Sequence, residues 1–272
     1  MVRAYIRKTK LYQFLKDSFG DYRYPWLVFK WQLAAWLVRR KEVRVGPVQF
    51  SLPCSNPITH FRWYLFKNKE VEVRNYIDQY VQNGDIFFDV GANIGVFSIY
   101  AAKRFTGLNV YSFEPEYSNL NLLKENVIAN SLLERVRIYS VAVSDFIGLS
   151  QLHLQDLSAG AACHSENQNE LQVTDEGYRV KWSEGVSSVT LDYVCQQLKV
   201  IPNALKIDTD GNEEKILRGA HEVLRNPGLR SLVLEMPMDG QKQSACRKLL
   251  QEAGLKLIWS DDAKTRNQIW AR

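Results

Sequence analysis

Apolar positions along the chain fall into short blocks that alternate between continuous runs and a helical period. The run at 86–90 (Ile-Phe-Phe-Asp-Val), introduced by Gly84-Asp85, predicts a buried strand, and the spacing over 95–104 predicts a helix. A strand follows at 109–113, then a helix over 116–129 with Leu120, Leu123 and Val127 on one face, then a strand at 136–143. Strand, helix, strand in units of about 25 to 30 residues implies right-handed parallel crossovers. After a break the pattern resumes with a helix at 191–198, a strand at 204–207, a helix at 213–225, a strand at 231–235 and a helix at 241–253. Two last strands, 255–259 and 268–271, suit an antiparallel pair. Seven strands alternating with helices predict the fold class α/β.

The break, 144–188, reads as an insertion. A turn at Ile147-Gly148 leads to the alternating Leu149, Leu152 and Leu154, and a polar stretch rich in Ser, Asn, Gln and Glu runs on to Ser188. Long loops inside compact domains are usually functional or disordered. Ahead of the body, residues 1–57 form a basic, aromatic extension. Pro25 and the spacing of Trp26, Phe29, Leu33, Trp36 and Leu37 predict a helix over 25–41. A β-like piece at 43–52 and a Pro/Asn-rich linker at 53–57 lead into the body, 58–272.

Composition sharpens this division. The 272 residues are 46% hydrophobic, enough for a packed core, with 35 Lys+Arg against 30 Asp+Glu. Residues 1–44 hold 11 basic and 3 acidic side chains, so the positive charge belongs to the extension. Its helix has two readings: an interfacial helix on an anionic membrane surface, or an added layer packed on the body or on a second subunit. The apolar stretch 26–38 interrupts itself with Lys30 and Gln32 and is too short to cross a bilayer, which needs roughly 20 apolar residues. No secretory cleavage signal follows it. The reading is a cytoplasmic protein, peripheral on the inner face of the membrane if the helix meets lipid. Cys54, Cys163, Cys195 and Cys246 lie far apart, which excludes a disulfide framework and a zinc knuckle. No nucleic-acid motif accompanies the basic residues.

Chemistry concentrates at strand ends. Asp89-Val-Gly91-Ala-Asn93-Ile-Gly95 closes a strand and opens a helix; Gly91 allows a tight turn and close approach, and Gly95 close helix packing. The dinucleotide pattern G-x-G-x-x-G is absent, and Asp89 suits a cationic ligand better than a pyrophosphate. Glu114 ends the next strand, where a carboxylate can accept both hydroxyls of a ribose. Ser144-Asp145, after the third strand, is placed to border an adenine ring. Across the same crevice fall Asp208, Asp210 and Glu235, candidates for general base or for holding a divalent metal ion that acidifies a hydroxyl. Asp210 and Asn212 have a plainer alternative as caps of the helix from Glu213. His164, in the insertion, is a further candidate base. His221 reads as a mid-helix surface residue.

Several segments in order, 88–95, Phe113-Glu-Pro-Glu116 with Asn119, Leu122, Asn126 and Asn130, Ala142-Val-Ser-Asp145, Thr190-Leu-Asp192 and 205–213 through Leu217-Arg-Gly-Ala220, resemble the FkbM family of S-adenosylmethionine-dependent methyltransferases. Asn56, Arg62 and Lys69-Glu70 resemble a stretch found in members from bacterial surface-polysaccharide gene clusters. Thr209-Asp210 departs from the family's usual Val-Glu. The resemblance implies a class I methyltransferase fold, a seven-stranded sheet with helices on both faces. It also implies S-adenosyl-L-methionine held by Asp89, Gly91, Asn93, Gly95, Glu114, Ser144 and Asp145. The activity it points to is O-methylation of a hydroxyl, on a sugar of a surface glycan or its precursor. Two other classes stay open on the residues alone, a nucleotide-linked oxidoreductase and a non-catalytic binding module at a membrane.

Overall fold

The computed structural model describes residues 40–66, 71–161, 164–165, 180–261 and 265–272. The helix predicted over 25–41 lies outside the described residues up to position 39. The body, residues 41–272, is a compact unit of its own.

It opens with an antiparallel hairpin, β1 (Lys41–Val45) and β2 (Val48–Leu52). Val43, Val48, Phe50 and Leu52 are buried in the main core, so the body begins at residue 41 and not at 58. Helix α1 (Pro57–Leu65) starts where Asn56 and Thr59 cap each other's backbone N–H groups and Pro57 occupies the first turn. Helix α2 (Val71–Tyr80) follows.

The alternation predicted from the sequence then appears almost residue for residue. Strand β3 (Ile86–Val90), helix α3 (Val96–Arg104), strand β4 (Asn109–Phe113), helix α4 (Tyr117–Ala129) and strand β5 (Val136–Tyr139) form the first half. The second half is helix α5 (Leu191–Leu198), strand β10 (Ala204–Ile207), helices α6 (Glu213–Arg218) and α7 (His221–Arg225), strand β11 (Ser231–Glu235), helix α8 (Gly240–Glu252) and strands β12 (Lys256–Ser260) and β13 (Asn267–Ala271). The sheet order is β12-β13-β11-β10-β3-β4-β5, with β13 antiparallel to both neighbours. This is the class I methyltransferase fold. Chain order reverses between β3 and β10, the switch point at which open α/β sheets bind ligands.

Side chains alternate across the sheet. Phe87, Val110, Ala204 and Val233 face α2, α3, α4 and the hairpin, whereas Phe88, Phe113, Leu205 and Leu232 face α5 to α8. The central strands are buried on both faces, which explains their continuous apolar runs.

Three predicted elements differ. The strand expected at 136–143 ends at Tyr139, and β6 (Ala142–Val143) joins a second sheet of order β6-β9-β7-β8. That sheet contains β7 (Gly148–Leu154), β8 (His164–Ser165) and β9 (Trp182–Val189), so the insertion carries a strand where a polar loop was expected. The helix expected at 213–225 breaks at Gly219. A Cβ there would lie 2.2 Å from the Ser144 carbonyl oxygen, so the missing side chain is what lets that segment pass close to the break. His221 consequently begins α7 and does not lie mid-helix.

Candidate active site

Beyond the carboxyl ends of β3, β4 and β10, at the switch point of the sheet, lies a cleft open to solvent. Gly91, Asn93 and Glu114 line one side, Asp208, Thr209 and Asp210 another, and Val141, Val143 and Leu152 add an apolar wall.

The glycine turn is shaped first by its own protein neighbours. Gly91 has φ +75°, and a Cβ on it would meet the Asp208 carbonyl oxygen at 1.8 Å. The N–H groups of Gly91 and Ala92 both donate to the Phe113 carbonyl, pinning the turn to β4. Gly95 has φ +82°, and a Cβ there would run into Leu123 of α4 at 2.1 Å, the close helix packing predicted for it.

Asp89 takes a different place from the one its sequence position suggested. It is fully buried on the α3 face of the sheet, level with Lys206 on one side and Ser112 on the other. The Lys206 ammonium lies 3.1 Å from Asp89 Oδ1, and Ser98 Oγ donates to Oδ2 at 2.6 Å. The cation opposite Asp89 is therefore Lys206, itself 2% exposed, and the carboxylate offers the cleft no surface. Lys206 Nζ also reaches the Gly91 carbonyl at 3.3 Å and Asp208 Oδ2 at 3.5 Å, tying the turn to the opposite wall.

Glu114 faces the cleft. Its Oε2 accepts the Asn93 N–H at 2.8 Å and Oε1 the Glu116 N–H at 3.1 Å, with Asn119 Nδ2 at 3.5 Å. Burial pushes its carboxyl up to about 7, against the lowering effect of those donors. A carboxylate has about four acceptor sites, so this one keeps capacity for further donors. Asn93, at φ +50°, turns its side chain away: Nδ2 donates to the Ala161 carbonyl at 2.6 Å and Oδ1 accepts the Ile94 N–H. Ser144 is fully buried, within 3.5 Å of Asn212 Nδ2, and Asp145 is exposed. The cleft wall at this point is Val141 to Val143 rather than Ser144-Asp145.

On the far wall, Asp208 and Glu235 behave as one unit. Burial alone would raise Asp208, but Lys206, a hydrogen bond with Glu235 and the Arg62 charge outweigh it and hold its carboxyl below the usual range. Burial, with the Asp208 charge behind it, pushes Glu235 far above that range, so the two carboxyls titrate as a pair in which Asp208 favours the ionised form and Glu235 the protonated one. Arg266 pairs with Glu235 from the other side. Asp210 stands at φ +56° in a loop held by buried Glu213, whose Oε1 accepts from the N–H groups of Thr209 and Gly211. Asn212 does not cap α6; its amide donates to the Val143 carbonyl. The backbone of His164 pairs with Leu154 on β7, and its side chain lies outside the described residues. Among the described residues no three His, Cys, Asp or Glu side chains converge as a metal site.

The methyltransferase FkbM domain family matches residues 89–257, more than half of the chain. The chain belongs to the FkbM methyltransferase family. A relative, 31-O-demethyl-FK506 methyltransferase FkbM of Streptomyces tacrolimicus, is 26% identical over 56% of this chain and 65% of its own length. Methyltransferase sdnD of Sordaria araneosa is 25% identical over 49% of this chain and 60% of its own. The chain thus spans less than two thirds of either relative. Solved structures similar to it include Aeropyrum pernix fibrillarin with bound S-adenosyl-L-methionine (10% identity, 85% of this chain and 81% of that one, TM-score 0.47). Another is a precorrin-6y C5,15-methyltransferase from Geobacter metallireducens (12%, 75% and 89%, 0.44). For an FkbM domain the residues present fit S-adenosylmethionine: a buried Glu114, with no ion pair among the described residues, to accept ribose hydroxyls, and an apolar wall for a purine.

Sequence reasoning passed over Lys206 and Asn119 as chemistry. The signal for the first was a lysine inside the apolar run Ala-Leu-Lys-Ile; Asn119 stood out only through the family resemblance.

Proposed function

We propose that this FkbM protein is an S-adenosylmethionine-dependent O-methyltransferase acting on a hydroxyl of a sugar, in a surface glycan or its precursor. The observation that carries the reading is the pair of carboxylates facing one cleft, Glu114 with neutral donors only among the described residues and Asp208 across from it. Glu114 and the turn at Gly91 would hold the cofactor, with Val141, Val143 and Leu152 against its base. Bound there, the cofactor supplies an electrophilic methyl on a sulfonium.

Asp208 receives the acceptor hydroxyl. Its low basicity is no obstacle, because the hydroxyl proton becomes strongly acidic as its oxygen gains the methyl, and a nearby carboxylate then takes it. Positioning of that oxygen in line with the methyl supplies much of the rate. Glu235, protonated on this reading, orients Asp208. The sugar assignment rests on the resemblance of Asn56 and Arg62 to polysaccharide-cluster members, and the O-methylation is the chemistry named for the Streptomyces tacrolimicus relative.

Calorimetric titration with S-adenosylhomocysteine beside NAD tests the cofactor, followed by methyl transfer from labelled S-adenosylmethionine to a panel of sugars and oligosaccharides. Asp208→Asn is expected to lower turnover about 10²- to 10⁴-fold with S-adenosylhomocysteine binding retained. Equal turnover would move the base elsewhere. No helix among the described residues is long and apolar enough to cross a membrane. We assign the basic, aromatic residues ahead of β1, 1–40, to an anionic lipid surface, a reading supported by their charge and aromatic content. Retention on anionic vesicles after their deletion would overturn it.

A further inference from the structure

One turn of the insertion, residues 158–161, is fastened from four directions. Asn56 Nδ2, at the start of α1, donates to the Ala159 carbonyl at 2.8 Å, and Arg62 Nε, on α1, to the Gly160 carbonyl at 2.6 Å. Asn93 Nδ2, on the glycine turn, donates to the Ala161 carbonyl at 2.6 Å, and Asn119 Nδ2, on α4, to the same oxygen at 3.2 Å. Asn119 Oδ1 in turn accepts the Gly160 N–H at 2.7 Å. Three consecutive carbonyls and two N–H groups, Gly160 to Asn119 and Ser158 to Asp156, thus bond to side chains, in a segment with no sheet or helix of its own. Gly160 is at φ +89°, and a Cβ on it would stand 3.2 Å from Thr59, so the turn is also seated against α1. Ala161 and Asn119 are both buried.

Two of these side chains also belong to the Glu114 environment. Asn93 gives its main-chain N–H to Glu114 Oε2 and its amide to Ala161; Asn119 divides its amide between Ala161 and Glu114 Oε1, the latter at 3.5 Å. The ring Glu114, Asn93, Ala161, Asn119 closes on itself.

We propose that Asn119 is a positioning residue that ties the 158–161 turn to the cofactor site, so that cofactor binding at Glu114 and seating of the insertion stabilise each other. The inference rests on the cofactor reading above. The direction of the coupling follows from the shared amide. The Asn119 amide has two N–H groups and serves Ala161 and Glu114 together, so a ligand that fixes the Glu114 carboxylate also fixes this amide and, through it, the turn. A ligand that strengthens the seated turn must, by linkage, bind more weakly when the turn is unseated by other means. The insertion, which differs most from the regular sheet, is thereby read through the cofactor and not only through an acceptor.

The experiment uses the full chain and S-adenosylhomocysteine as probe, with hydrogen exchange over 156–161 and calorimetric affinity read on the same samples. In the wild type, saturating S-adenosylhomocysteine is expected to slow exchange of the Gly160 amide about fivefold or more. Asn119→Leu should abolish that protection and weaken affinity by a similar factor. Arg62→Ala, which removes a hydrogen bond to the turn and none to Glu114, should also weaken affinity several-fold. It keeps the test open should the buried Asn119 variant fail to fold. S-adenosylhomocysteine bound with exchange at 158–161 unchanged, or undiminished affinity in Arg62→Ala with the turn exchanging fast, overturns the coupling and leaves the cofactor assignment standing. No binding to the wild type overturns both.

Discussion

Asp89 and Glu114 sit near the carboxyl ends of adjacent parallel strands, and both are all but removed from water, at 0% and 5% exposure. Their surroundings differ in one respect. Asp89 has an ammonium 3.1 Å away and a serine hydroxyl, whereas Glu114 has backbone and amide N–H donors and no ion pair among the described residues. Burial without a counter-charge raises Glu114 to about 7. A carboxylate already neutralised inside the sheet has nothing left for a ligand, so Asp89 holds strands together. One held by neutral donors at a cleft wall gains from any hydroxyl a ligand brings. The same side-chain chemistry at neighbouring strand ends is therefore structural in one case and receptive in the other, and the lysine decides which.

Removing that lysine is the strongest way to break the contrast. Lys206→Met keeps the length of the side chain but leaves Asp89 buried and uncompensated, and takes from Asp208 the nearest of its cations. Breaking a buried pair from one side costs roughly 3–5 kcal/mol, which urea unfolding at neutral pH would register. A loss under about 1 kcal/mol would mean that Asp89 finds its stabilisation elsewhere.

The Glu114 side of the contrast shows in pH dependence. A carboxyl whose folded value, about 7, lies above its unfolded value of 4.5 binds its proton more tightly in the folded state. Its contribution to stability is full below about 4.5 and lost as pH rises through 7, about 3 kcal/mol in all. Ribose hydroxyls donate to the ionised form, so ligand binding runs the other way. Affinity for S-adenosylhomocysteine should fall as pH drops below 7, by up to about tenfold per unit, and Glu114→Gln should flatten both profiles. Calorimetry between pH 5.5 and 8.5 measures the second effect directly, and a flat wild-type profile would remove Glu114 from the ribose.

The contrast also marks how far the sequence could be read. Strands β3, β4, β10 and β11 were legible to the residue because burial on both faces leaves an uninterrupted apolar run. Glu114 was legible because its place at a strand end after a glycine turn is a topological fact. Strand β9 was not: Trp-Ser-Glu-Gly-Val-Ser-Ser-Val carries two buried positions, Val186 and Ser188, and its serines read as loop. The break at Gly219 falls where Ser144 passes close to the helix, a contact 75 positions distant that no local pattern encodes. Asp89 was misread for the same kind of reason. Its partner lies 117 positions on, and only the pairing of β3 with β10 brings Lys206 level with it. Distant partners, not local propensity, set what each carboxylate does.

Asp208 lies between the two extremes, since it has Lys206 as a cation and Glu235 as a second carboxyl, and its case yields the smallest effect. If Glu235 is protonated at neutral pH, its O–H donates to Asp208 while its other oxygen accepts from Arg266. Glutamine reproduces both contacts with an N–H donor and a carbonyl, so Glu235→Gln should change stability at pH 7 by no more than about 1 kcal/mol. The alternative is an ionised Glu235 bound to Arg266 alone, with Asp208 repelling it. Glutamine would then delete a charge pair from a partly buried site, and the loss would approach that of Lys206→Met. Unfolding of the two variants side by side separates these arrangements. The first leaves Asp208 a free lone pair toward the cleft and a neutral neighbour behind it, which is what a residue receiving a proton from a sugar hydroxyl requires.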